Sequence, residues 1–345
     1  MRGYNFVTLE IIRIFDRLGV LNSNTFKMRK MSSFEIIKCH GSGNDFVMVD
    51  ATSSESLRGI NRELFARLAC NREESIGGDG VLFVDRFEDG VYGMDMLNPD
   101  GTHAEMCGNG IRCVARLAAE RGYLSSGVLR SGGRDYRVAQ AGALAEGIEC
   151  FSVDIALHRH SPDFAFFAEG ESFLGRVIEE LDTELRFTAL SPGNPHIVAA
   201  VDSIDLTLLE RLGERVKSLK TLFPRGVNIS LYERRASDEI FVATYERGAG
   251  ITLSCGTAMT SSATAAVMLG MCEAGRRIEV RNRGGKVFCT TNLTETGEPI
   301  TRLEGNATFE WWGRAEMNGG ELCYDIERVT GEAELWRAFV QSLKD

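Results

Sequence analysis

Apolar and polar positions alternate over Phe34-Glu35-Ile36-Ile37-Lys38-Cys39-His40 in the manner of a strand, until Gly41-Ser42-Gly43-Asn44-Asp45 interrupts the pattern and Phe46-Val47-Met48-Val49 resumes it. The spacing predicts strand, tight loop, strand. Gly77-Gly78-Asp79-Gly80 then leads into the apolar run Val81-Leu82-Phe83-Val84, and Tyr92-Gly93-Met94-Asp95-Met96-Leu97 runs into Asn98-Pro99-Asp100-Gly101, a strong turn signal. Apolar spacing from Ile111 to Ala119 predicts a largely buried helix, opened by Cys107-Gly108-Asn109-Gly110. A glycine-rich loop thus delivers Cys107 to a helix N-terminus.

The second half repeats this order. Gly193-Asn194-Pro195-His196-Ile197-Val198 answers Gly43-Asn44-Asp45-Phe46-Val47-Met48, and Phe223-Pro224-Arg225-Gly226-Val227-Asn228-Ile229-Ser230 stands where the first half has its Gly77–Val84 turn and strand. Tyr245-Glu246-Arg247-Gly248 and the following Ile251-Thr252-Leu253-Ser254 run into Cys255-Gly256-Thr257-Ala258, which opens a helix of small residues up to Met268. Cys107 and Cys255 therefore occupy equivalent places. A duplicated chain of this kind is expected to form two similar α/β lobes, with the site in the cleft between them and a helix N-terminus from each lobe pointing inward.

Composition narrows the function. The chain has 345 residues, 43% of them hydrophobic, enough for two lobes with a substantial core. A net charge of −10 gives the long-range field the wrong sign for nucleic acid or an anionic membrane, which leaves a small soluble substrate. Nine scattered cysteines show neither a disulfide framework nor CxxC pairs, so a reducing, cytoplasmic setting is expected. The apolar start around Val7–Phe15 is broken by Glu10 and Arg13, and is read as an added amphipathic helix or an over-long start rather than a signal peptide or membrane span. The five histidines, His40, His103, His158, His160 and His196, have no metal-ligand spacing, so no metal is assigned. Gly41-Ser42-Gly43 lacks the full pattern of a dinucleotide loop.

Two thiols at facing helix N-termini suit proton transfer at carbon. One sulfur removes an α-proton and the other returns one from the opposite face, so inversion needs no cofactor and no proton travels around the substrate. Backbone N–H groups at a helix start favour the thiolate, so these cysteines are expected to be more acidic than an ordinary thiol, and the pair titrates as a coupled unit. The amides around Gly108-Asn109 and Gly256-Thr257 are placed to bind an α-carboxylate. Arg247 is a candidate for gripping a second carboxylate and Glu246 for an ammonium group, although a Glu-Arg pair also fits a solvated strand edge. Asn44, Asn98, Asn194 and Asn228 also fit turn geometry, Asn98 above all. His196, after the Gly193-Asn194-Pro195 turn, fits either an orienting role or a local loop bond. Buried packing at the helix starts remains the plain alternative for each Cys-Gly pair.

In order and spacing, Gly43-Asn44-Asp45-Phe46, Asn98-Pro99-Asp100-Gly101, Cys107-Gly108-Asn109-Gly110-Ile111-Arg112-Cys113, Gly193-Asn194-Pro195-His196, Glu246-Arg247-Gly248 and Cys255-Gly256-Thr257 resemble the blocks of the diaminopimelate epimerases, from about Phe34 to about Arg314. The resemblance implies two pseudo-symmetric lobes of mixed sheet, each wrapped around a central helix, in a homodimer that interconverts L,L- and meso-diaminopimelate on the route to lysine and, in bacteria, peptidoglycan precursors. It implies Cys107 and Cys255 as the proton-transferring thiols, Asn44, Gly108, Asn109, Gly256 and Thr257 at the reacting end, and Asn98, Asn194, Asn228, Glu246 and Arg247 at the distal end.

The organisation expected is an N-terminal extension over 1–33, a first lobe over 34–152 with a returning strand region at 303–318, a second lobe over 153–302, and a C-terminal extension over 325–345. Ala258-Met259-Thr260-Ser261-Ser262 departs from the family pattern after the second cysteine, with Ala258 adding a methyl group at the helix start. Three other readings stay open: a racemase of another amino acid, such as histidine, on the same scaffold; a non-catalytic amino-acid-binding homologue; and a thiol hydrolase pairing one cysteine with His196.

Overall fold

The computed structural model describes residues 33–343 except 53–56, 58, 105, 125–126, 160–163, 165–171 and 319. The expected N-terminal extension up to residue 32, and His160, lie outside the described residues. The first lobe contributes strands β1 (Phe34–Gly41), β2 (Asn44–Asp50), β3 (Gly80–Arg86), β4 (Tyr92–Leu97), β5 (Val128–Ser131) and β6 (Arg134–Ala141). The chain continues with β7 (Cys150–Ala156), β8 (Arg176–Val177), β9 (Arg186–Leu190), β10 (His196–Ala200), β11 (Asn228–Ala236), β12 (Glu239–Glu246) and β13 (Gly250–Thr252). It ends with β14 (Arg277–Asn282), β15 (Gly285–Leu293), β16 (Pro299–Asn306), β17 (Thr308–Asn318) and β18 (Glu321–Val329). Among the described residues, five α-helices accompany them: α1 (Arg62–Ala69), α2 (Gly108–Glu120), α3 (Leu206–Ser218), α4 (Gly256–Met268) and α5 (Glu332–Ser342).

The two halves share one pairing scheme. β1–β2 is antiparallel, β2–β3 parallel, β3–β4 antiparallel, β4–β5 parallel, and β5–β6 and β6–β7 antiparallel. The same succession recurs over β9–β10, β10–β11, β11–β12, β12–β14, β14–β15 and β15–β16. An antiparallel β7–β16 pair joins the halves. The return to the first lobe begins at Thr308, where β17 pairs with β1, while β16 still pairs with β15. The expected architecture of duplicated lobes, each with a mixed sheet and a central helix, is what the chain forms.

The unbroken apolar runs follow from this layering, because both faces of the inner strands are covered. In the first lobe Met48 and Leu82 pack with Ile111, Val114 and Ala118 of α2, whereas Val47, Val49, Val81 and Phe83 pack with Phe65 and Ala66 of α1 on the other face. In the second lobe α3 supplies Leu209, Leu212 and Val216 to the outer layer, and α4 is the buried inner helix. The tight loop between β1 and β2 is Ser42-Gly43 with φ of 55° and 79°, the positive pair that a two-residue hairpin turn demands. After β18 the chain turns into α5, whose Glu332 carboxylate receives Arg116 Nη1 and Nη2 at 2.6 and 2.8 Å and the Phe309 amide at 3.0 Å.

Candidate active site

Cys107 is the N-cap of α2 and Cys255 the N-cap of α4, both in extended conformation with φ of −119° and −134°. The two helix starts converge on one atom: a Cβ built on Gly108 would lie 3.1 Å from Leu303 Cδ2, and one on Gly256 3.5 Å from it. A cleft of about 1640 Å³ opens between them. Its walls include Asn44, Asn98, Cys107, Gly108 and Asn109 from the first lobe, and Asn194, Asn228, Glu246, Arg247, Cys255, Gly256 and Thr257 from the second. All twelve residues predicted to react or to bind are thus brought together. His196 lies just behind this wall, fully buried.

At the first helix start, Gly110 N donates to Cys107 Sγ at 3.4 Å, and Asn44 Oδ1 lies 3.8 Å from the same sulfur. Asn109 Nδ2 donates to Asn44 Oδ1 at 3.3 Å, while Asn44 Nδ2 donates to Asp79 Oδ2 at 2.7 Å. At the second helix start, Cys255 Sγ is 3.4 Å from Thr257 Oγ1, which is 3.0 Å from His196 Nε2. The same His196 nitrogen meets Asn194 Oδ1 at 3.1 Å and Asn228 Nδ2 at 3.4 Å. His196 therefore ties three cleft-wall side chains together, and the sulfur of Cys255 meets Thr257 in place of an imidazole.

Strand ends build a further part of the cleft wall. Asn228 opens β11 opposite His196, and its Oδ1 accepts the Arg247 backbone N–H at 3.0 Å. Arg247 Nη1 donates to Arg225 O at 2.8 Å, which swings the guanidinium to the exposed mouth. Glu246, more deeply set, accepts from Thr252 Oγ1 at 2.6 Å. Asn98 sits in the turn its sequence predicts, with its N–H on Thr102 O at 2.8 Å and its Nδ2 on Thr102 Oγ1 at 2.9 Å, and still borders the cleft.

Burial reverses one expectation. Desolvation pushes the Cys107 thiol above its ordinary range, although the amides of Gly110 and Asn109 and the Arg112 charge pull the other way. Cys255 rises well above that range, from burial first and then from the neighbouring Glu246 carboxylate, with Thr257 and the Ala258 amide opposing. The helix N-termini moderate the rise without overturning it, because loss of water costs a thiolate more than a few amides return. Burial also raises Glu246 and drops His196 to about 3. The Ala258 methyl is accommodated, fully buried in α4, and Met259 N still reaches Cys255 O at 3.0 Å.

Sequence reasoning missed Asp79, which orients Asn44, Thr252, which orients Glu246, and a cleft wall from α5 that includes Trp336, Arg337 and Val340. The spacing of Trp336, Phe339 and Val340, at i, i+3 and i+4, was a readable helix-face signal for the last of these. Among the described residues, no group of three or more His, Cys, Asp or Glu side chains is placed to hold a metal ion, and no helix is long and apolar enough to cross a membrane.

The family model for diaminopimelate epimerase matches residues 36–139 and 188–310, two stretches that hold both cysteines. A diaminopimelate epimerase from Clostridium acetobutylicum is 36% identical over 285 residues, covering 82% of this chain and 86% of that one. One from Listeria innocua is 35% identical over 322 residues, covering 91% and 98%. Among solved structures, a PhzF-family phenazine biosynthesis protein from Bacillus anthracis superimposes with a TM-score of 0.58 at 16% identity, covering 83% of this chain and all of that one. A probable proline racemase from Agrobacterium radiobacter gives 0.55 at 15%, covering 83% and 93%. These two likenesses concern the fold alone.

Proposed function

The chain belongs to the diaminopimelate epimerase family, an enzyme among the epimerases that work without pyridoxal phosphate, and from that premise we propose that it interconverts L,L- and meso-diaminopimelate with Cys107 and Cys255 as the two bases. The observation that supports this reading most is the convergence of the two Cys-capped helix starts on Leu303. In the forward direction one sulfur, as thiolate, takes the α-proton. The electron pair left on Cα spreads onto the α-carboxylate, and the other sulfur, as thiol, delivers its proton to the opposite face. Reversal exchanges the roles.

The carboxylate that gains charge is received by the amides around Gly108-Asn109 and Gly256-Thr257, and each preorganised donor of this kind is worth about 3 kcal/mol in a barrier. At the distal end Glu246 receives the ammonium group and Arg247 the carboxylate, with Asn98, Asn194 and Asn228 completing the contacts. A buried carboxylate raised by desolvation suits a cationic ligand that compensates it. His196 holds Thr257, Asn194 and Asn228 in register. A cytoplasmic homodimer acting in lysine and peptidoglycan precursor synthesis belongs to the same proposal, and sedimentation checks the dimer.

The test is a substrate panel without added cofactor. Epimerisation of L,L-diaminopimelate, with no reaction of histidine or proline, is the expected result. Reaction of another amino acid with none of diaminopimelate overturns the substrate.

A further inference from the structure

Arg112 lies in the second turn of α2 with no exposed surface, and among the described residues no carboxylate is within ion-pairing distance of it. Its guanidinium donates instead to four neutral acceptors: Gly108 O at 2.8 Å, Asn109 Oδ1 at 3.0 Å, Ser42 Oγ at 3.1 Å and Asn306 O at 3.2 Å. The slot is shaped for it by glycine. A Cβ on Gly41 would come within 3.0 Å of Arg112 Nη2, and one on Gly305 within 3.0 Å of its Cζ. Neutral acceptors satisfy the N–H groups but do not cancel the charge, and an uncompensated buried cation is costly. A fold that keeps one has a use for it where an anion arrives.

The hydrogen bonds lead to that place. By occupying Asn109 Oδ1, Arg112 turns Asn109 Nδ2 toward Asn44 Oδ1, and Asn44 Nδ2 toward Asp79. The amides run head to tail from a buried cation past the Cys107 sulfur, each polarising the next. Through Gly108 O, Arg112 also pins the first turn of α2, whose amides point at the cleft.

We propose that Arg112 is a positioning residue whose buried charge, carried through Asn109 and the first turn of α2, stabilises the negative charge that arises at Cys107 and on the reacting carboxylate. This rests on the reading of Cys107 as a proton-transferring thiol. Among the described residues, the other titratable and charged groups near that thiol or along the same cleft are Cys113 on the same helix and Asp79, His103, Arg235, Glu246, Arg247, Cys255, Arg281, Arg283 and Arg337, and the test leaves all of them in place.

The experiment uses the full chain with Arg112→Gln and Arg112→Lys, checked for folding by thermal melting. Alkylation of Cys107 by iodoacetamide is followed against pH by peptide mass mapping, alongside kcat and KM. In the Gln variant the alkylation midpoint moves up by about one pH unit and kcat falls about tenfold or more, with KM little changed. Lys keeps a charge but cannot span four acceptors, so the midpoint returns toward the wild-type value while kcat stays low. A folded Gln variant with a wild-type midpoint overturns the proposal. Should neither variant fold, Asn109→Ala cuts the same connection from the cleft side, and an unchanged Cys107 midpoint in it is equally fatal. Because alkylation needs no substrate, this outcome is separate from failure of the epimerase reading, which full activity of Cys107→Ala would reveal.

Discussion

Gly256 and Asn109 meet across the two lobes: a Cβ at position 256 would stand 3.1 Å from Asn109 Oδ1, so a side chain from the start of α2 packs directly on the start of α4. Asn109 is itself held by Arg112, and it cannot retreat without losing that bond. Gly256→Ala is therefore expected to displace Asn109 and lower kcat by roughly tenfold to a hundredfold, the usual consequence of a misplacement near 1 Å. Gly108→Ala, whose Cβ meets the flexible end of Leu303 at 3.1 Å, is expected to cost less. Steady-state kinetics of the two variants check the order, and a milder Gly256→Ala contradicts it.

Both thiols are raised by burial, Cys255 further because the Glu246 carboxylate disfavours a second anion beside it. The sign is the same for both: lower pH leaves them as thiols, so activity climbs on the alkaline side as the first thiolate forms. Cys107 is expected to be alkylated before Cys255 at a given pH. Glu246→Gln removes the anion and should bring Cys255 alkylation to lower pH while raising KM. Peptide mapping after limited iodoacetamide treatment reads both effects.

His40 and His196 are buried and neutral, lowered from 6.5 to about 4 and about 3 by desolvation. The unfolded chain takes up these protons near pH 6.5, whereas the folded protein refuses them until its lower values, so stability falls as pH drops through that window. Between pH 6.5 and 5 the two sites together cost about 3 kcal/mol. Urea unfolding at the two pH values measures this, and His196→Gln should remove about half of the difference.

The C-terminal helix is fastened where it borders the cleft. Arg116 and Glu332 form a two-pronged, largely buried pair, and Trp336 packs its ring 5.4 Å from that of His40 and fills the space beside Gly285. Glu332→Ala leaves Arg116 the more exposed Glu120 carboxylate and the Ala307 carbonyl, and is expected to cost about 3 kcal/mol. Trp336→Ala should cost about 3–5 kcal/mol and raise KM, since it removes a side chain that lines the cleft. Melting curves and kinetics on the two variants separate these effects.

What was legible in the chain was what repeats or turns. The hairpin at Ser42-Gly43, the two Cys-Gly helix starts and the doubled order of strands leave periodic or glycine signals that point to the two cysteines and the amides beside them, whereas Asn44, Asn98, Asn194 and Asn228 enter the site only through the family resemblance. Arg112 leaves no such signal, because a single arginine in a helix carries no sign of whether water or four neutral oxygens surround it. Asp79 and Thr252 were hidden for a related reason: each acts by holding a neighbour brought close only by strand pairing. For the acidity of the thiols, a helix N-terminus can be read from sequence, whereas the depth of burial that opposes it is a property of both lobes together.

The most direct measurement of the central claim is the early turnover of L,L-diaminopimelate in D₂O by the wild-type protein, Cys107→Ala and Cys255→Ala. With two monoprotic bases on opposite faces, the first meso product carries one deuterium at the inverted carbon, the remaining L,L substrate carries none, and both variants lose epimerisation. Deuterium entering recovered substrate as fast as product, or full epimerisation by either variant, contradicts the two-thiol account.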